Sequence, residues 1–264
     1  MKKVIVITGG TSGIGLETAK ALAAQGHTVY ELSRRGAGAE PGIIHLRADV
    51  TDEAQCRAAV DEIVRREGRI DVLVNNAGFG ISGAIEFTDT AEAQRQFDVN
   101  FFGMVRMNRA VLPVMRAQGG GRILSMSSVA APIAIPFQAY YSASKAAVRT
   151  YMLALASEVA PFGIETCAIM PGDVATGFTD ARRKNPAGDD VYGGRIGRSV
   201  AVMEHDERTG ISAADAGSFV AKKATQRRVP PLCTLGGKYK VFVFLTRLLP
   251  TRLMVYIVGK IYAS

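Results

Sequence analysis

Short runs of apolar, β-branched residues alternate along this chain with longer amphipathic stretches, and no other feature of the sequence constrains the fold as much. Val4 to Thr8, Thr28 to Ser33 and Val72 to Asn75 read as buried strands, separated by helical patterns over Gly13 to Gln25 and Asp52 to Glu67. The same alternation predicts a helix near Thr90 to Gln118, a strand over Gly121 to Ser127, a helix near Phe137 to Ala160 and a strand over Ile164 to Met170. Strands that keep alternating with helices build an α/β chain around a parallel sheet.

With 264 residues, 48% of them hydrophobic, the chain can bury a sizeable core. After Pro171 and Gly172 it turns polar and glycine-rich, and residues 172–212 are expected to form a substrate lid. Residues 238–264 form an apolar, basic extension punctuated by Arg247, Pro250, Arg252 and Lys260, too interrupted to span a bilayer. Two expectations stand for it: packing into the fold or a subunit interface, or peripheral contact with a membrane surface. The MKKVIVITGG opening lacks a cleavage site after its apolar run and reads as a strand, so no signal peptide is expected. Cys56, Cys167 and Cys233 are scattered, which indicates neither a disulfide framework nor a zinc site and suits a reducing cytoplasm. His27, His45 and His205 lack metal-ligand spacing, so no catalytic metal is expected.

The formal charge of +8 favours anionic partners in general. A nucleic-acid role is not expected, because no basic stripe is interleaved with aromatics. A phosphate-bearing cofactor is better supported. Gly9, Gly13 and Gly15 fall between the first strand and the first helix, where glycine admits a pyrophosphate to the backbone and the helix N-terminus supplies N–H groups; ordinary turn chemistry would also use glycines here. Ser33, Arg34 and Arg35 end the second strand, where an NAD site needs an acid and a 2′-phosphate suits arginine. NADP(H) is therefore the expected cofactor. Glu31, two residues earlier on the same face, is an unresolved counter-indication.

Tyr141 and Lys145 stand four apart in a strongly helix-forming segment and so share a face. Such pairs are common on surfaces. Beside a cation, however, a phenol can become an acid/base: an ammonium at about 4 Å in an effective dielectric of about 20 contributes about 4 kcal/mol toward the phenolate before desolvation is subtracted. Ser127 and Ser128 end a predicted strand at the edge where open parallel sheets bind ligands.

Five motifs now occur in order: TGGTSGIG at Thr8 to Gly15, NNAG at Asn75 to Gly78, Ser128 thirteen residues before Tyr141, YSASK at Tyr141 to Lys145, and PGDVAT at Pro171 to Thr176. Together they resemble the classical short-chain dehydrogenases/reductases. The resemblance implies a single-domain Rossmann fold over residues 1–264, a doubly wound parallel sheet of about seven strands with helices on both faces. It also implies a catalytic set of Asn100, Ser128, Tyr141 and Lys145. In that scheme Tyr141 protonates the nascent alkoxide, Ser128 holds the substrate oxygen, Lys145 lowers the Tyr141 pKa and binds the nicotinamide ribose, and Asn100 holds a relay water.

Cofactor contacts are implied at Gly9, Thr11, Ser12, Gly13, Ile14 and Gly15, at Ser33, Arg34 and Arg35, at Asp49 and Val50, at Asn76, Ala77 and Gly78, at Tyr141 and Lys145, and at Pro171, Gly172, Val174 and Thr176. Asp49 would accept from the adenine amino group, although it could equally cap a turn; for Asn75, capping its strand is as plausible as touching ligand. A homodimer or homotetramer built on the helices carrying Asn100 and Tyr141 is the implied assembly.

Within the family the chain looks most like the branch of 17β-hydroxysteroid dehydrogenases, retinol dehydrogenases and acyl-dihydroxyacetone-phosphate reductases, which implies a lipophilic carbonyl or alcohol substrate. Ile81, Ile135, Phe137, Tyr140, Met170 and Phe178 are candidates for an apolar pocket or for the core. Arg182, Arg183 and Lys184 hint at an anionic group on the substrate, or are a solvated run. A 3-ketoacyl carrier-protein reductase and a non-catalytic NADP-sensing module are the alternatives.

Overall fold

The computed structural model describes residues 2–35 and 40–264. In chain order the elements are β1 (Val4–Thr8), α1 (Gly13–Ala24), β2 (Thr28–Ser33), β3 (Ile43–Arg47), α2 (Glu53–Glu67), β4 (Val72–Asn75), the short β5 (Ile81–Ser82), α3 (Thr90–Phe97), α4 (Gly103–Ala117), β6 (Gly121–Met126) and α5 (Ala139–Val159). They continue with β7 (Ile164–Pro171), β8 (Val174–Ala175), α6 (Phe178–Ala181), β9 (Arg183–Lys184), α7 (Arg195–Arg208), β10 (Ile211–Ser212), α8 (Ala213–Thr225), β11 (Leu232–Leu235), α9 (Gly237–Leu248) and α10 (Thr251–Tyr262). Seven strands form one parallel sheet in the order β11-β7-β6-β4-β1-β2-β3, a doubly wound Rossmann-type α/β fold.

The pleat divides β1 between two cores. Val4 and Val6 pack with Ile63 of α2, Val111 of α4 and Met152 of α5, while Ile5 and Ile7 pack with Leu22 of α1 and Val220 of α8 on the other face. Burial on both faces explains why β1 is apolar throughout rather than alternating. Local signals set the helix ends: the Asp52 carboxylate accepts from the N–H groups of Ala54 and Gln55 at the start of α2, and Gly68 closes the same helix in the left-handed conformation. Cys167 of β7 and Cys233 of β11, far apart in sequence, bring their sulfurs to 3.5 Å on adjacent strands.

Two differences from the sequence expectation bear on the site. The helix expected from Thr90 to Gln118 is two helices joined by a π-helical turn, Asp98–Phe102, which carries Asn100 inward. Strands β3 and β11, which the alternation did not single out, form the two edges of the sheet.

Candidate active site

Because all seven strands are parallel, their C-terminal ends meet along one edge, and a cleft of about 810 Å³ runs along it across the point between β1 and β4 where the strand order reverses. Its nucleotide end is organised by main chain. Thr8 Oγ1 accepts from the N–H of Asn76 at 3.0 Å and of Ala77 at 3.1 Å, and Asn76 Nδ2 donates to the carbonyls of Thr8 and Gly9. These bonds lock the end of β4 to the turn after β1. Gly9 adopts a φ of +66°, and a Cβ there would press on the Ala77 backbone at 3.0 Å. Ser12 precedes α1 without capping it through its side chain, so the first N–H groups of the helix open onto the cleft.

Gly9, Thr11, Ser12, Gly13 and Ile14 line this end together with Ser33, Arg34, Arg35, Asp49, Val50, Asn76, Ala77 and Gly78. Gly15 stands behind the turn, packed on Asn76 and the Gly9 carbonyl. Neither Arg34 nor Arg35 forms an ion pair among the described residues. Glu31 turns away from the cleft: it is buried, with one carboxylate oxygen 2.5 Å from His45 Nδ1. Asp49 caps the turn, its Oδ1 accepting from the Thr51 N–H at 2.9 Å, and also lines the cleft. Asn75 does not reach the cleft. Its amide is buried against Asn108 and Ser125.

At the centre, Ser128, Tyr141 and Lys145 line the cleft side by side. Lys145 Nζ donates to the Met126 carbonyl at 2.8 Å and lies 5.6 Å from the centre of the Tyr141 ring. Ser127 Oγ donates to the Lys145 carbonyl and so holds α5 rather than substrate. Asn100 lies behind the wall: its Oδ1 accepts from the Phe79 N–H, and its Nδ2 donates to the Phe79 carbonyl and to Ser144 Oγ. With both amide hydrogens committed, the side chain anchors the loop after β4 and can offer a water only an acceptor.

The buried Tyr141 and Lys145 side chains both shift away from their charged forms. Burial pushes Tyr141 up to about 12, with Ser128 pulling the other way, Glu207 pushing up, Arg182 pulling down and Asp173 pushing up. Burial likewise brings Lys145 down to about 8. Tyr141 keeps some exposed surface, but it lies on the cleft floor with protein around it. In this low-dielectric site desolvation disfavours the phenolate and the ammonium alike.

At the substrate end, Pro171, Gly172, Val174 and Thr176 line the cleft as expected, joined by Asp173, Phe178, Asp206, Glu207 and, from the C-terminal helices, Lys238, Tyr239, Phe242, Val258, Ile261 and Tyr262. Asp173 lies within the PGDVAT motif; Asp206, Glu207 and the C-terminal residues carry no motif, and only the apolar composition of the last segment marks its helices. Tyr239 explains Gly172, since a Cβ there would sit inside the Tyr239 ring, whose hydroxyl donates to Asp173.

Of the apolar candidates, Ile135 and Phe178 line the cleft, whereas Ile81 and Met170 are core. The cations at 182–184 are each taken up by an acid: Arg182 is buried against Glu207, Arg183 pairs with Glu92 at 3.4 Å and Lys184 with Glu204. Arg183 also lines the cleft.

Residues 3–187 match the family model for short chain dehydrogenase. The chain is 40% identical over 265 residues to a 3-ketodihydrosphingosine reductase of Bacteroides thetaiotaomicron, covering 99% of this chain and 98% of that one. A short-chain dehydrogenase from Streptomyces avermitilis superposes with a TM-score of 0.83 at 31% identity, covering 98% of this chain and 96% of that one. ElxO, solved with NADP bound, superposes at 0.76 and 25% identity, covering 91% and 100%. A parallel sheet with a glycine turn at its switch point and a Tyr/Lys pair on the neighbouring edge defines a nicotinamide-dependent oxidoreductase. The chain belongs to the short-chain dehydrogenase/reductase family and acts on alcohol or ketone groups.

Proposed function

We propose that the protein uses NADPH to reduce the ketone of a long-chain 2-amino-ketone of the sphingoid type. The observation that carries this reading is the composition of the substrate end, where Asp173 and Asp206, beside the Arg182-paired Glu207, face the same cleft as the apolar Phe242, Val258 and Ile261. Carboxylates suit an ammonium beside the ketone and oppose a phosphate or a carboxylate, while the apolar wall suits an alkyl chain. The extensive likeness to a 3-ketodihydrosphingosine reductase points the same way.

NADP(H) is favoured over NAD(H) by Ser33, Arg34 and Arg35 lining the nucleotide end and by the diversion of Glu31 to His45. The glycine turn and the uncapped α1 N-terminus fit a pyrophosphate, and Pro171, Gly172, Val174 and Thr176 fit the nicotinamide end. Bound NADPH supplies the hydride. Tyr141, held neutral by burial, then gives its phenolic proton to the developing alkoxide, and Ser128 fixes the substrate oxygen beside it. Lys145, oriented by the Met126 carbonyl, would hold the ribose hydroxyls. Asn100 keeps the loop after β4 in place through Phe79. Residues 172–212 act as a lid, and the expected homo-oligomer uses the faces of α4 and α5, where Phe102 and Phe162 are exposed at either end of α4. Three free thiols and a need for NADPH suit a reducing cytoplasm.

The test follows NADPH oxidation with a long-chain 2-amino-3-ketone, the same ketone lacking the amine, a steroid ketone and an acetoacetyl thioester. Preferred turnover of the amino-ketone is the expected result. Turnover confined to the thioester or the steroid overturns the substrate class, and equal turnover with NADH overturns the cofactor choice.

A further inference from the structure

The last two helices carry two faces of different chemistry. Inward, Phe242 of α9 and Val258, Ile261 and Tyr262 of α10 wall the cleft. Outward, Val241, Phe244 and Leu248 follow one another at helical spacing on α9, with Leu253, Val255 and Tyr256 on α10; these six are between 43% and 66% exposed. Phe242 and Ile261 belong to both descriptions, exposed and cleft-lining, so the mouth of the cleft opens at the rim of this outer face.

Charge narrows the choice of occupant. From Gly237 to Ser264 the sequence has five cations, Lys238, Lys240, Arg247, Arg252 and Lys260, and no acid. Among the described residues none of the five forms an ion pair. A second copy meeting this face about a two-fold axis would set cations against cations. An anionic lipid surface complements it, taking the apolar side chains into the headgroup boundary and the cations onto the phosphates. No described helix is long and apolar enough to cross a membrane, so such contact would be interfacial.

We propose that the outer face of α9 and α10 docks on an anionic bilayer and sets the cleft mouth at the lipid–water boundary. Docking stands on the surface alone; the consequence that a lipid ketone enters from the bilayer rests on the function proposed above.

The experiment is co-sedimentation of the full chain with phosphatidylcholine vesicles, with and without phosphatidylglycerol, at low and high salt. The protein is expected to sediment with the anionic vesicles at low salt and to be released by salt. Phe244→Glu with Val255→Glu should abolish binding, and Lys240→Gln or Arg247→Gln should each lower the partition coefficient about fivefold. All these side chains are exposed, so thermal melting should match the parent and show that the surface, not the fold, was changed. Failure of the parent to sediment with anionic vesicles overturns the proposal, as does unchanged binding by the glutamate variant. A dimer that the glutamate variant splits without lipid would assign the face to a second copy instead. None of these readouts uses substrate turnover, so failure of the reductase reading would show separately.

Discussion

The two ends of the cleft are built by opposite means. At the nucleotide end, main-chain groups and a few hydroxyls meet the ligand's space, and the conspicuous polar side chains are consumed internally: Asn76 on the Thr8 and Gly9 carbonyls, Thr8 on the N–H groups of Asn76 and Ala77 just after β4, and Glu31 on His45. Arg34 and Arg35 line this end without an ion pair among the described residues. At the substrate end, side chains from segments tens of residues apart converge: Asp173 after β7, Asp206 and Glu207 in the last turn of α7, and Tyr239 and Phe242 in α9. A backbone cradle accepts any dinucleotide with a pyrophosphate. A convergence of side chains selects, and chemical identity therefore lies at that end.

The largest expected effect lies where the two ends meet. Tyr141→Phe removes the proton donor and should lower kcat about a thousandfold, within the usual range for general acid catalysis, with NADPH affinity retained in a fluorescence titration. Loss of NADPH binding along with activity would mean that Tyr141 belongs structurally to the nucleotide end. Lys145→Met tests the cost of burial at the same place. With a folded pKa of about 8 against 10.5 unfolded, the lysine is charged in both states below pH 8, and its burial opposes folding there. Between pH 8 and 10.5 the folded state sheds the proton and the unfolded state keeps it, so the penalty fades as pH rises. The methionine variant should be more stable by about 2 kcal/mol at neutral pH, after the lost bond to the Met126 carbonyl is subtracted, and the gain should vanish near pH 10 in chemical denaturation.

Arg34→Ala with Arg35→Ala is expected to weaken NADPH binding about 30-fold, the value of one to two charge-assisted hydrogen bonds, and to leave NADH binding unchanged. An equal loss for both cofactors would show that the arginines merely add positive potential to a backbone cradle.

These differences also decide what could be read in advance. The glycine turn, the Ser33–Arg35 end of β2 and the Tyr141/Lys145 pair are local patterns with fixed spacing, and the structure brings them together along one cleft. The edge strands β3 and β11 were passed over because short, half-buried segments lack the unbroken apolar run of β1. Pair spacing on a helix conveys the attraction of an ammonium for a phenolate but not the desolvation that pushes Tyr141 up. The cluster of Asp173, Asp206 and Glu207 has no sequence signature, since the packing of α7 beside β8 creates it. Arg182, which looked like a free cation, is buried against Glu207 for the same reason.

The smallest effect separates the two ends most sharply. Burial pushes the Asp173 carboxyl above its usual range, with the Tyr239 hydroxyl pulling it down and Asp206 pushing it up. Asp173→Asn keeps an acceptor for Tyr239 while removing the charge, so the C-terminal helices should stay in place. For an amino-ketone, KM should rise about tenfold with kcat retained, the value of one interaction between charged groups, whereas the ketone lacking the amine should be unaffected. In the parent, KM for the amino-ketone should climb as pH falls through the raised Asp173 pKa, because protonation removes the partner of the ammonium. The asparagine variant should show no such rise. If KM changes equally for both ketones, Asp173 acts through Tyr239 on the closure of the cleft, and selection of the amine passes to Asp206.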